Sequence, residues 1–217
     1  MTKEHGSEGH MQSIAEFSVS QTSEAVFAES PFVKPYLSTG LYKAVPFNAQ
    51  FPAPNTTANS FFNRTINTPN TIQHAMGLIH HSIFRLKPRL SPSKADVARL
   101  EEEMHGAPQF ILLVKTGDGL NGFQDTIHGG VLASLFDESL GCCAERYRAA
   151  FCDDTEALYT ARLDVSYRAP VPSSCIVMIK TWMRRRDGRK WFLDAELLTE
   201  DGKVRGAAKS LWISKKV

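Results

Sequence analysis

His128-Gly129-Gly130-Val131-Leu132-Ala133-Ser134-Leu135-Phe136-Asp137-Glu138 reads as a loop that opens straight into an apolar helix. Two glycines after a histidine at a helix start present backbone N–H groups with no side chain in front of them, so a carbonyl oxygen or oxyanion can approach closely. At about 100° per residue, Gly130, Ala133, Ser134, Asp137, Gly141 and Ala144 share one arc. Leu132, Leu135, Phe136, Ser139 and Cys143 fill the opposite, core-facing arc, and Glu138 is expected with Glu145 on a narrow solvated edge. A carboxylate in the small-residue arc of a buried helix has to meet a ligand, a partner chain or a hydrogen-bond donor, and Asp137 is that carboxylate.

Working outward, Tyr159, Ala161, Leu163, Val165 and Tyr167 alternate with Thr160, Arg162, Asp164, Ser166 and Arg168, the pattern of a strand with one face on a core. Segments 176–184, 191–198 and 204–213 follow as further strands, with Asp187-Gly188 and Asp201-Gly202 as the turns between antiparallel neighbours. Upstream, Phe110 to Val114 is a short apolar run fit for a central strand, and the stretch Gly117 to Gly122 breaks regular structure. Ile72 to His80 is ambiguous between helix and strand by periodicity. Ser93, with Asp96 three residues on and Ala95, Val97 and Leu100 following, carries a helix-start signature. The sum is an α+β layout, one helix packed across an antiparallel sheet with a four-strand meander after it.

Residues 1–65 hold Pro31, Pro35, Pro46, Pro52 and Pro54 without sustained periodicity, and are expected to be a largely irregular extension to a domain over residues 66–217. That extension carries Phe17, Phe27, Phe32, Phe47, Phe51, Phe61 and Phe62, seven of the chain's 13 phenylalanines. Aromatics left in water are costly, so part of the arm is expected to dock on the domain near the site.

The ordered set Gly117-Asp118-Gly119-Leu120-Asn121-Gly122, His128-Gly129-Gly130, Asp137 and Tyr167-Arg168-Ala169-Pro170-Val171-Pro172 resembles the PaaI-like acyl-CoA thioesterases of the hotdog superfamily, in particular their fungal members. The resemblance covers residues 72–213. It implies an antiparallel sheet wrapped around the central helix, with residues 72–80 as the first strand. It further implies hydrolysis of an acyl thioester carried on CoA or on a carrier protein, and two sites built at the interface of a homodimer or a dimer of dimers. Asp137 is then general base or nucleophile, and His128 with the Gly129 amide polarises the thioester carbonyl. Asn121, Gly130, Ser134, Thr160 and Arg168 are the expected substrate contacts. Thr160 shares the parity of Arg162 and Asp164, which points it away from the apolar face unless a bulge intervenes.

Spacing argues for a shared site independently: Asp137 lies seven residues beyond Gly130, about 10 Å along the helix, too far for one carbonyl to touch both. An antiparallel second copy would close that gap. The alternatives are release of a polyketide or peptide intermediate from a carrier protein, or acyl binding without catalysis. Arg184, Arg185, Arg186, Arg189 and Lys190 flank the Asp187-Gly188 turn, as a solvated hairpin tip or as partners for phosphate.

A net charge of +2 with 42% hydrophobic residues argues against nucleic acid as partner. No apolar run is long enough to span a membrane, no signal or targeting pattern is seen, and the cytosol is expected. Cys142, Cys143, Cys152 and Cys175 have neither zinc spacing nor disulfide density and are expected as free thiols. His74, His80, His81 and His105 form no metal framework, so neither metal nor cofactor is expected. Gly-x-Ser-x-Gly and P-loop signatures are absent.

Overall fold

The computed structural model describes residues 18–52, 56–84, 106–151 and 157–215. The expected helix after Ser93, together with Phe17, Cys152 and His105, lies outside them.

Among the described residues, nine strands and four α-helices follow in chain order: α1 (Gln21–Glu29), α2 (Lys34–Ser38), β1 (Tyr42–Pro46), β2 (Ile72–His80), α3 (His81–Phe84), β3 (Phe110–Thr116), β4 (Asn121–Phe123), β5 (Thr126–Ile127), α4 (Gly129–Phe151), β6 (Leu158–Tyr167), β7 (Ile176–Asp187), β8 (Lys190–Thr199) and β9 (Val204–Ser214). Seven strands form one antiparallel sheet in the order β1-β2-β3-β7-β8-β9-β6, and β4 with β5 forms a small hairpin. The sheet wraps α4, which is the hotdog arrangement and an α+β fold.

Alternation along the strands sorts the apolar residues into two clusters on opposite faces. On the inner face, Leu112, Val114, Val177, Ile179, Leu193 and Leu197 pack against Leu132, Leu135, Phe136, Leu140 and Cys143 of α4. On the outer face, Met76, Leu78, Ile111, Leu113, Ile176 and Met178 pack against Phe27 and Val33 from the N-terminal segment. With both faces covered, β3 can be apolar at nearly every position, which is why it reads as a continuous run.

Three sequence expectations are corrected. The described residues of 1–65 are not largely irregular: α1 is capped by Ser20, whose side chain accepts the Ser23 N–H, and β1 pairs with β2 as an edge strand. Residues 72–80 do form a strand, but the second of the sheet rather than the first. The four strands after the helix are not a meander, because β7 leaves β6 and pairs with β3, and β6 closes the far edge beside β9. Only β7, β8 and β9 follow one another, through turns in which Gly188 and Gly202 take φ of 55° and 74°.

The phenylalanines of the arm do dock, but not together. Phe27 is fully buried on the outer face, across the sheet from α4, while Phe47 and Phe62 join the inner core and Phe61 stays 43% exposed. Ser23 adds a polar tie, its hydroxyl 3.2 Å from His74 Nδ1 on β2. Phe27→Ala is therefore expected to destabilise the protein by about 3 to 5 kcal/mol. Its site on the other face should keep its activity per folded molecule. Urea unfolding beside a thioester assay checks both, and an unchanged midpoint would show that α1 adds nothing to the fold.

Candidate active site

The loop from Gly117 to His128 is clamped on both sides. Gly119 N–H donates to the Asn70 carbonyl at 2.7 Å, an approach that a Cβ at 119 would block at 2.6 Å from the same oxygen. On the other side, Ile127 N–H donates to Val171 O and Ser173 N–H to Asp125 O, while Arg168 and Ala169 N–H both reach Arg205 O. The Tyr167 to Pro172 segment thus holds the loop through its backbone, with Val171 buried as the anchor. His128 is fixed by its own N–H donating to Leu120 O at 2.8 Å. Gly122 lies behind it, where a Cβ would come within 2.8 Å of the imidazole Cδ2.

α4 starts one residue later, and His128 caps it. Its carbonyl accepts Val131 and Leu132 N–H, and its Nδ1 accepts Gly130 N–H at 2.9 Å, the role usually played by Ser, Thr, Asn or Asp. This corrects the expectation that both glycine amides stand open. Among the described residues only the Gly129 N–H of the pair is without a partner, and it sits at the positive end of the helix dipole. An Nδ1 that accepts leaves the proton of a neutral imidazole on Nε2, so exposed His128 offers a second donor.

Two turns on, Asp137 is half-buried. Thr160 Oγ1 donates to its Oδ1 at 2.9 Å. Strict alternation would aim Thr160 outward, but pairing with β9 passes from Thr160↔Trp212 to Arg162↔Leu211, so Ala161 is an extra residue and the parity reverses at that bulge. Burial raises the Asp137 carboxyl above the ordinary carboxylate range and the Thr160 hydroxyl opposes this.

Glu138 is not on a solvated edge. It is half-buried with the Cys142 thiol 3.9 Å from its Oε1, and burial together with the neighbouring Asp137 pushes its carboxyl up to about 7. Ser134 donates to Gly130 O at 2.9 Å, which ties its hydroxyl to the first turn. Asn121 is exposed in β4. Arg168 is not brought to Asp137: it lines a shallow groove on the outer face with Asp164, Trp182, Arg184 and Lys209. Tyr167, which the sequence offered only as part of a motif, donates its hydroxyl to Gly129 O at 2.8 Å.

The basic hairpin tip is largely self-satisfied. Arg184 pairs with Asp194, the guanidiniums of Arg185 and Arg186 lie 4.1 and 4.5 Å from the centres of the Phe192 and Trp191 rings, and Arg189 donates to Ser214 O. Cys142, Cys143 and Cys175 are free thiols. Among the described residues no three His, Cys, Asp or Glu side chains gather to hold a metal ion, and no helix is long and apolar enough to cross a membrane.

A profile of the thioesterase superfamily matches residues 124–205. An acyl-coenzyme A thioesterase THEM4 of Rattus norvegicus is 24% identical over 147 residues, covering 64% of this chain and 60% of that protein. Its Bos taurus counterpart is 30% identical over 94 residues, 43% of this chain and 35% of that protein. The chain thus spans about three fifths or less of these relatives. Among solved structures, the PaaI protein of E. coli is similar at 12% identity and a TM-score of 0.44, over 49% of this chain and 72% of that one.

Proposed function

We propose that the chain hydrolyses acyl thioesters at a site shared by two antiparallel copies. His128 Nε2–H and Gly129 N–H of one copy polarise the thioester carbonyl, and the carboxylate of Asp137 in the other acts on the same carbon. The observation that carries this reading is the pairing of an unpartnered helix-start amide with a half-buried carboxylate two turns further on, itself held by a threonine across a bulge. About 10 Å separates the two ends along one helix, which favours a second copy over a single chain. Among the described residues β6 is one of the two edges of the sheet, with Tyr159 and Tyr167 more than half exposed, so the surface such a copy would cover is open.

As general base, Asp137 takes a proton from water while the oxygen attacks the carbonyl carbon. The C–S bond then breaks and the thiolate leaves, to be protonated as free thiol. As nucleophile it forms an anhydride that water opens. Both roles need the ionised carboxylate, and both draw the same donors to the developing oxyanion. CoA as the carrier is supported by the names of the relatives, and the free thiols fit a reducing compartment such as the cytosol.

Hydrolysis across matched panels of acyl-CoA, acyl-pantetheine and acyl-carrier-protein thioesters tests the reading, and inactivity on all of them would overturn it. The acid limb of the pH profile tests the carboxylate. Thr160 stabilises its ionised form, so Thr160→Val should raise the pH at which Asp137 ionises and move the acid limb upward, with the plateau less affected. A limb that stays in place would separate Thr160 from the reacting group.

A further inference from the structure

We infer that Tyr167 is a positioning residue for His128, acting through the peptide bond that lies between them. This rests on the proposed function for its catalytic consequence, though not for its structural content. The Tyr167 hydroxyl donates to Gly129 O at 2.8 Å, and the N–H of that same peptide unit, belonging to Gly130, donates to His128 Nδ1 at 2.9 Å. A donor on an amide carbonyl draws charge through the conjugated unit and makes its N–H a better donor, so the two bonds reinforce each other. Tyrosine hydroxyl, glycine peptide and imidazole form one chain that ends at the Nε2–H of exposed His128.

The order of donors fixes the histidine. While Gly130 N–H occupies the Nδ1 lone pair, the neutral ring carries its proton on Nε2, the tautomer able to donate to a carbonyl. The rest of the surroundings limits motion of the ring rather than its proton. His128 N–H is on Leu120 O, and Gly122 leaves only enough room for the imidazole edge. The tyrosine ring and its hydroxyl also do separable things: the ring backs Gly129, where a Cβ would stand 3.4 Å from Cζ, whereas only the oxygen reaches the peptide. β6 therefore serves both sites of the proposed pair of copies, Thr160 holding the carboxylate of one and Tyr167 the donor of the other.

Tyr167→Phe keeps the ring and removes the oxygen. Two readouts are compared, kinetics and the 15N resonances of labelled His128 at a pH where the ring is neutral. The wild type should show the proton on Nε2. Tyr167→Phe should let the Nδ1–H tautomer appear and lower kcat about 3- to 10-fold, the range for one neutral hydrogen bond, with KM changed less than about twofold. Tyr36→Phe, which removes a hydroxyl on α2 against the outer face of the sheet, should leave both readouts as they are. An unaltered His128 tautomer in folded Tyr167→Phe protein overturns the inference, as does an equal change in Tyr36→Phe. If Tyr167→Phe does not fold, 3-fluorotyrosine at position 167, a stronger donor, must still shift the His128 Nδ1 resonance, and a fixed resonance overturns it. Because the resonances are read without substrate, a protein that hydrolyses no thioester would refute the proposed function and still decide the role of Tyr167.

Discussion

Asp137→Asn is expected to lower turnover on the order of 100-fold or more while leaving the fold intact. The amide has nearly the shape of the carboxylate and its oxygen can still accept from Thr160 Oγ1, so the geometry at the helix survives and only the ionisable group is lost. Stability should hold or rise, and the sign follows from the direction of the shift. Burial raises the folded carboxyl above its unfolded value, so the folded protein binds more protons there than the unfolded chain, and stability contributed by this group is lost as pH rises through that window. At neutral pH the wild type carries that cost and the asparagine variant does not. Thermal unfolding at pH 5 and pH 8 measures the difference, beside steady-state hydrolysis. Near-normal turnover by folded Asp137→Asn would remove Asp137 from the reaction and direct attention to Glu138, whose carboxyl is pushed up to about 7.

Recovery of activity by mixing two dead variants is the second large effect. Gly129 is the first residue of α4, the helix position where proline fits best because its φ suits the helix and its missing N–H breaks no helical bond. Gly129→Pro therefore deletes the unpartnered donor at small structural cost. A dimer of one Gly129→Pro and one Asp137→Asn chain has an intact amide only on the second and an intact carboxylate only on the first. If sites are shared, those groups meet in one of the two sites. Random exchange of equal amounts makes half the dimers mixed, so about a quarter of wild-type activity should return. Native mass spectrometry verifies the exchange. Mixed dimers that stay inactive would show that one chain supplies both groups.

How much of this was legible depends on the kind of physics involved. β7, β8 and β9 were readable because alternation and the Asp-Gly turns are local, and α4 because a two-faced helix repeats its pattern over six turns. The place of β6 at the far edge was not, since nothing in its residues says which neighbour it takes and either choice buries the same face. α1 hid in nine residues with few apolar side chains, and β1 in five residues ending in proline. Both depend on a partner surface formed by residues distant in sequence. The Gly-Gly step was recognisable as a donor site, but the use of Gly130 N–H to hold His128 follows from the ring's rotation, which sequence does not encode. Glu138 was misplaced for a related reason, because a helical wheel describes one helix and not what packs beside it.

The extra residue at Ala161 resets the phase of β6, and the residues beside it answer to different demands. Before it, Thr160 is answerable to α4, and its replacement is felt by the carboxylate. After it, Arg162 and Asp164 form their ion pair on the open side of the strand, 70% and 54% exposed, with no duty toward the helix. A designer could therefore rewrite positions 162 and 164 to strengthen, weaken or redirect pairing along that edge while leaving Thr160 and Tyr167 in phase. Deleting Ala161 would do the opposite, turning Thr160 outward and its neighbour Tyr159 inward while the downstream pairing stayed as it is. One supernumerary alanine thus lets Thr160 and Tyr167 both turn toward the helix while Arg162 and Asp164 turn away from it on a single ten-residue strand.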